Sequence, residues 1–164
     1  MPAELVEILG RARIEQNRAV FDSIAQSRVI AALDYPPARL AEARARQAVL
    51  RDAVCARMRG LDGWITPTTP LVPGPLAHHA TLDAALAWNR RALRNTRIGN
   101  VFEQCAISLP LTARGGGLPV GLQIVCPALE DAKLLALAVA AESVVGRAAL
   151  PEVETFAGGA AAGR

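Results

Sequence analysis

Lysine is almost absent from this chain: Lys133 stands alone among 18 Lys+Arg, so arginine carries the positive charge. Against 15 Asp+Glu the formal net charge is +3 over 164 residues, too small an excess to point to a nucleic-acid partner. Cysteine is also scarce. Cys55, Cys105 and Cys126 are odd in number and widely spaced. They give neither a disulfide framework nor a CxxC metal pair, and a reducing cytoplasm is the expected setting. No uninterrupted apolar run reaches the roughly 18 residues a membrane helix needs, and Met1-Pro2-Ala3-Glu4 lacks the charged-then-apolar layout of a secretion signal. What is present is 52% hydrophobic residues and a mean hydropathy of +0.25, too apolar for a disordered tail. The length suits a single domain, expected over residues 1–150, with a flexible alanine- and glycine-rich tail over 151–164.

Helical spacing opens the chain. Leu5, Ile8, Leu9 and Ala12 recur at helix steps with Glu4, Glu7, Arg11 and Arg13 between them, which predicts an amphipathic helix. A longer helix is expected from Asp34, a candidate N-cap ahead of Pro36 and Pro37, to a stop at Gly60. Its stripe of Leu40, Ala43, Leu50, Val54, Met58 and Leu61, interrupted by Gln47, predicts a buried face opposite Arg39, Glu42, Arg46, Arg57 and Arg59. Gly63 to Thr66 reads as a short buried strand, halted by Pro67, Pro70, Pro73 and Pro75. Another helix is expected from about Leu82 to Arg97, capped by Thr81 or Asp83. Two strands follow, Cys105 to Leu109 and Val120 to Val125, joined as a hairpin through Pro110 to Pro119 with its Gly115-Gly116-Gly117 turn. A last helix begins near Glu130 and Asp131, ends at Gly146, and buries Leu134, Leu137, Ala141 and Val144. The strands are apolar at successive positions, as in the middle of a large sheet. Yet there are only about three, against a usual sheet of about five, so neighbouring strands are expected to be missing.

Chemistry is harder to find. Ser23, Ser27, Ser108 and Ser143 include no G-x-S-x-G turn. Ser108, within an apolar strand, reads as a small polar residue hydrogen-bonded inside a sheet. His78-His79 follows a proline-rich loop without a third ligand and reads as a solvated pair. The three cysteines read as small buried hydrophobes. Gly115-Gly116-Gly117 has neither the Lys-Ser/Thr nor the helix start that phosphate binding needs. Arg90, Arg94 and Arg97 share a face of the expected helix beside Trp88, and are assigned to solvent or to carboxylates of another segment or chain. Lys133 is expected to form a surface ion pair with Glu130. No self-sufficient catalytic constellation, metal set or cofactor motif emerges.

Four blocks, however, resemble the amidase signature family in order and spacing. They are Ala32-Leu33-Asp34-Tyr35, Asp62-Gly63-Trp64-Ile65-Thr66-Pro67-Thr68-Thr69-Pro70, Asn100 with Cys105-Ala106-Ile107-Ser108-Leu109-Pro110, and Gly117-Leu118-Pro119-Val120-Gly121-Leu122-Gln123-Ile124. The match runs from about Arg11 to Gly146. The resemblance implies an α/β chain that is part of a mixed-sheet α/β/α fold, and hydrolysis of carboxylic amides. In that family a serine attacks the carbonyl, a second serine in a cis peptide relays the proton, and a lysine is the base. The glycine- and serine-rich signature that carries them has no counterpart here, and Lys133 lies on the wrong side of the motifs.

The expectation is therefore a C-terminal amidase segment with no catalytic residue of its own, supplying core strands and part of a substrate pocket. It would act on a small-molecule amide only together with an N-terminal part, as a homo-oligomer or with a complementary chain, without cofactor, metal, nucleic acid or membrane. The resemblance points to Thr69, Thr96, Arg97 and Asn100 as the residues bordering the acyl cleft, although Asn100 also reads as backbone bracing of a turn. Glu103 replaces a glycine common in the family. A different class remains open: a non-catalytic module, self-associating or partner-binding, that closes its exposed sheet edge by association.

Overall fold

A computed structural model describes residues 2–111 and 120–146. Three strands, β1 (Trp64–Pro67), β2 (Cys105–Leu111) and β3 (Val120–Cys126), form one sheet in the order β1-β3-β2. Both pairings are antiparallel, with Ile124 opposite Ile65 on one side and Ile107 on the other. The consecutive strands β2 and β3 thus pair as expected of a hairpin. Residues 112–119, with the glycine triplet, and the tail expected over 151–164 lie outside the described residues.

Seven helices accompany the sheet among the described residues. Helix α7 (Asp131–Val145) packs Leu134 and Ala138 against Leu109, Ile124 and Cys126, with Cys105, Ile107, Leu122, Leu137 and Ala141 around them. Its start after Glu130 and its stop at Gly146, where φ is +80°, follow the sequence. The burial of Val144 does not: its side chain is 84% exposed, because β2 and β3 cover only the Leu134–Ala138 side of the helix. A second cluster, Ile14, Val29 and Leu33, packs with Leu5, Val6, Leu9 and Phe21.

That second cluster is built from α1 (Pro2–Leu9), α2 (Arg11–Gln16) and α3 (Ser23–Leu33). The expected opening helix is split at Gly10, whose φ of +77° a continuous helix does not accommodate. Helix α3 was not anticipated. Asp22 caps it, its carboxylate accepting from the N–H of Ile24 at 2.9 Å and Ala25 at 3.0 Å. Asp34 accordingly ends α3 rather than opening the next helix, and its carboxylate accepts from Arg11 at 2.7 Å.

Helix α4 (Pro37–Arg57) starts with Pro36 as N-cap and ends three residues before Gly60. The expected buried stripe is not covered: α4 has no buried residue, Leu50 and Leu61 are exposed, and Met58, just past the helix, is the stripe's buried member. Polar contacts hold the helix instead. Arg44 pairs with Glu7 at 2.6 Å, Gln47 donates to the Val101 carbonyl at 2.7 Å, and Arg51 pairs with Glu103 at 3.1 Å. The helix expected over 82–97 is two: α5 (Leu82–Ala92), capped by the Thr81 hydroxyl, and α6 (Arg94–Val101), separated at Leu93.

Close approach makes two glycines behave oppositely. A Cβ at Gly121 would lie 2.5 Å from Thr68 Oγ1 and 2.7 Å from Ser108 Oγ, whereas Gly99, in α6, has nothing within 4 Å. Gly121→Ala should destabilise the fold by about 1–3 kcal/mol through overpacking, and Gly99→Ala should stabilise it by about 0.5–1 kcal/mol through helix propensity. Urea unfolding midpoints check this. Equal effects at the two positions would contradict the crowding assigned to Gly121.

Candidate functional site

Register puts one polar row on the sheet face that points away from α7. Ile124 and Leu109 lie against α7, so the row Thr66, Gln123 and Ser108, one residue out of step along β1, β3 and β2, points the other way. Gln123 is 5% exposed, and its Oε1 has no hydrogen-bond partner among the described residues. At one end of the row Thr68 turns back toward the sheet. Its N–H donates to the Gly121 carbonyl at 2.7 Å, and its hydroxyl is hydrogen-bonded to the Ser108 hydroxyl at 2.5 Å. From α6, Asn95 reaches β1: its Nδ2 donates to the Pro67 carbonyl at 2.7 Å and to Thr66 Oγ1 at 3.3 Å.

This arrangement settles Ser108 as a hydrogen-bonded sheet residue. A threonine hydroxyl beside it is no stronger a base than serine itself and cannot take its proton. The bracing role considered for Asn100 belongs to Asn95, which is 8% exposed. A polar side chain in the first turn of a short helix gives no sequence signal for such a contact.

The four residues expected to border a cleft are spread over a loop and one helix. Thr69 follows β1, is exposed, and donates its hydroxyl to the Leu71 carbonyl at 3.2 Å. Thr96 and Asn100 are four residues apart in α6, so they share a face. Thr96 is half-buried, its hydroxyl donating to the Leu93 carbonyl at 3.4 Å, and Asn100 is exposed. Arg97 is exposed and lines a cavity with Arg28, Asn89 and Arg90. The break at Leu93 ends the expected single arginine face: Arg94 begins α6, while Arg90 and Arg97 meet across the break.

The histidines depart from a solvated pair. His79 is half-buried and packs its ring on Trp88, centroids 4.7 Å apart, while His78 is exposed. Lys133 and Glu130 form the expected ion pair at 3.5 Å, an exposed contact of little worth. Of the cysteines, Cys126 is buried as expected, but Cys55 is exposed on α4. Cys105 and Cys126 are directly opposed across the sheet as free thiols, bonded to the carbonyls of Pro127 at 3.1 Å and Asp62 at 3.3 Å. Burial, reinforced by Cys105, pushes the Cys126 thiol above its ordinary value.

Comparisons with known proteins bear on the family and the fold. The family model described as Amidase matches residues 15–135. The chain is 34% identical over 105 residues to a 2-amino-5-chloromuconic acid deaminase of Comamonas testosteroni, covering 62% of this chain and 23% of that protein. It is 34% identical over 103 residues to one component of the glutamyl-tRNA(Gln) amidotransferase of Salinispora tropica, covering 63% of this chain and 20% of that one. A crystal structure of an amidase superposes with a TM-score of 0.71 at 24% identity, over 88% of this chain and 33% of the other. The chain therefore spans only about a fifth to a quarter of the curated relatives it matches.

Thiol labelling tests the burial described above. At mildly alkaline pH an aromatic disulfide reagent should modify Cys55 at once, while the protonated, buried Cys126 lags by at least about tenfold until denaturant is added. Equal rates for Cys55 and Cys126 would contradict the sheet packing.

Proposed function

Since the chain belongs to the amidase family, we propose that it is the C-terminal segment of a carboxylic amide hydrolase, supplying core strands and one wall of the substrate pocket. Under this reading it is inactive without an N-terminal part bearing the serine nucleophile, the relaying serine and the lysine base. The observation that carries the reading is the sheet: β3 is paired on both sides, yet among the described residues β1 and β2 are both edges, and the sequence has no glycine- and serine-rich signature. Apolar edges of this kind call for further strands.

Within that assembly residues 1–150 form one unit, and Thr69, Thr96, Arg97 and Asn100 border the acyl cleft. Threonine and asparagine would hydrogen-bond the substrate amide. An acidic substrate, such as the deaminase relative's name implies for that protein, would give Arg97 a carboxylate to pair with. The setting is the cytoplasm, in keeping with free cysteines and with the finding that no described helix is long and apolar enough to cross a membrane. The partner is a complementary chain or a further copy of this one.

A non-catalytic, self-associating module is the second reading. The exposed Leu135 and Val139, four residues apart in α7, favour it, because exposed apolar side chains on one helix face are commonly closed by association.

Ammonia release from simple amides separates the readings. The purified chain alone should release none and should resist serine-directed covalent probes; mixing with the complementary N-terminal part should restore release. Turnover by the chain alone that Ser108→Ala abolishes would overturn the first reading. A well-behaved inactive homodimer in light scattering, with no gain on mixing, would favour the second.

A further inference from the structure

Exposed arginines from three helices line one cavity. Arg28 of α3, Arg90 of α5 and Arg97 of α6 line a cavity of about 270 Å³ with Pro2, Leu86 and Asn89. Among the described residues, no acidic residue lines it and none of the three arginines has a carboxylate partner. The contrast within the chain is direct. Arg11 is paired with Glu15 and Asp34, Arg44 with Glu7, and Arg51 with Glu103 and Asp52.

Gathering like charges around one cavity raises its potential and opposes the helix packing that brings them together. One contact orders the group: Arg28 donates to Asn89 Oδ1 at 3.2 Å, across the α3–α5 junction. That bond uses the acceptor of Asn89 and leaves its amide N–H groups as further donors. Guanidinium forks match the planar carboxylate in two-point hydrogen bonds. Pro2 and Leu86 add an apolar wall, which a carbon skeleton would cover and an inorganic oxyanion would leave in water.

We propose that this cavity is a binding site for a small organic dicarboxylate, held by Arg28, Arg90 and Arg97 and positioned by Asn89. The volume falls just below the usual range of ligand pockets, which sets the ligand at a few carbons. The inference shares Arg97 with the cleft proposed above, but it concerns binding and is measured without turnover, so its failure is distinguishable from failure of the hydrolase reading.

Calorimetric titration of the 164-residue chain with succinate, at constant ionic strength, tests it directly. Saturable binding is expected, weakened at least about tenfold in Arg90→Gln or Arg97→Gln and unchanged in Arg57→Gln, a solvent-facing arginine of α4. Arg90→Lys should bind between Arg90→Gln and the parent, since it restores the charge without the fork. Neutral succinamide and inorganic phosphate, titrated into the unaltered chain, keep the test decisive even if a variant fails to fold. Absence of saturable succinate binding, equal binding of succinamide or phosphate, or equal weakening by Arg57→Gln would each overturn the proposal.

Discussion

Strand β3 can exist only as an interior strand. Gln123, Ile124, Val125 and Cys126 are all buried, so their backbone N–H and C=O groups must be met by protein on both sides. β1 and β2 meet them, and the approach is close. A Cβ at Gly63 would fall 2.7 Å from the Val125 carbonyl, and one at Gly121 would collide with the Thr68 and Ser108 hydroxyls. Two small residues, one at the entry to β1 and one near the start of β3, therefore permit the pairing on which α7 and its apolar contacts rest.

The same demand passes outward and is not met within the described chain. β1 and β2 are nearly as apolar as β3, but each has an open edge. α4 repeats the pattern: its 21 residues are held by Arg44, Gln47 and Arg51 at their polar heads while Leu50 faces solvent. Exposed ion pairs and single hydrogen bonds contribute about 1 kcal/mol each at most, so this helix is oriented more than it is stabilised. The described residues thus leave apolar surface uncovered both at the sheet edges and along α4.

The strands were legible in the sequence because short apolar runs bounded by proline and glycine have few alternatives, and α7 was legible because its start and its stop at Gly146 are both marked. Elsewhere the signal failed for identifiable reasons. α3 is alanine-rich and buries only Val29 and Leu33, too few for a visible stripe. Asp34 looked like a helix start because prolines follow it, whereas the true capping carboxylate was Asp22. No glycine or proline announces the break at Leu93, so Arg90, Arg94 and Arg97 fell on one imagined face. Their actual arrangement, like the reach of Asn95 to β1, arises from tertiary contact and leaves no local pattern.

The motif blocks acquire a physical meaning from the register. Thr66-Pro67-Thr68, Ser108 and Gly121-Leu122-Gln123 are far apart in sequence, yet they meet as adjoining rows of one sheet. Their polar members satisfy one another: Thr68 binds both Gly121 and Ser108, and Asn95 secures Thr66 and Pro67. A serine and a threonine at such a node are fixed by crowding, since neither can move without exposing the other's hydroxyl beside a glycine that leaves no room for a substituent. Gln123 is the member of that row whose buried Oε1 meets no donor among the described residues, so the row is less fully bonded at β3 than at Thr68 and Asn95.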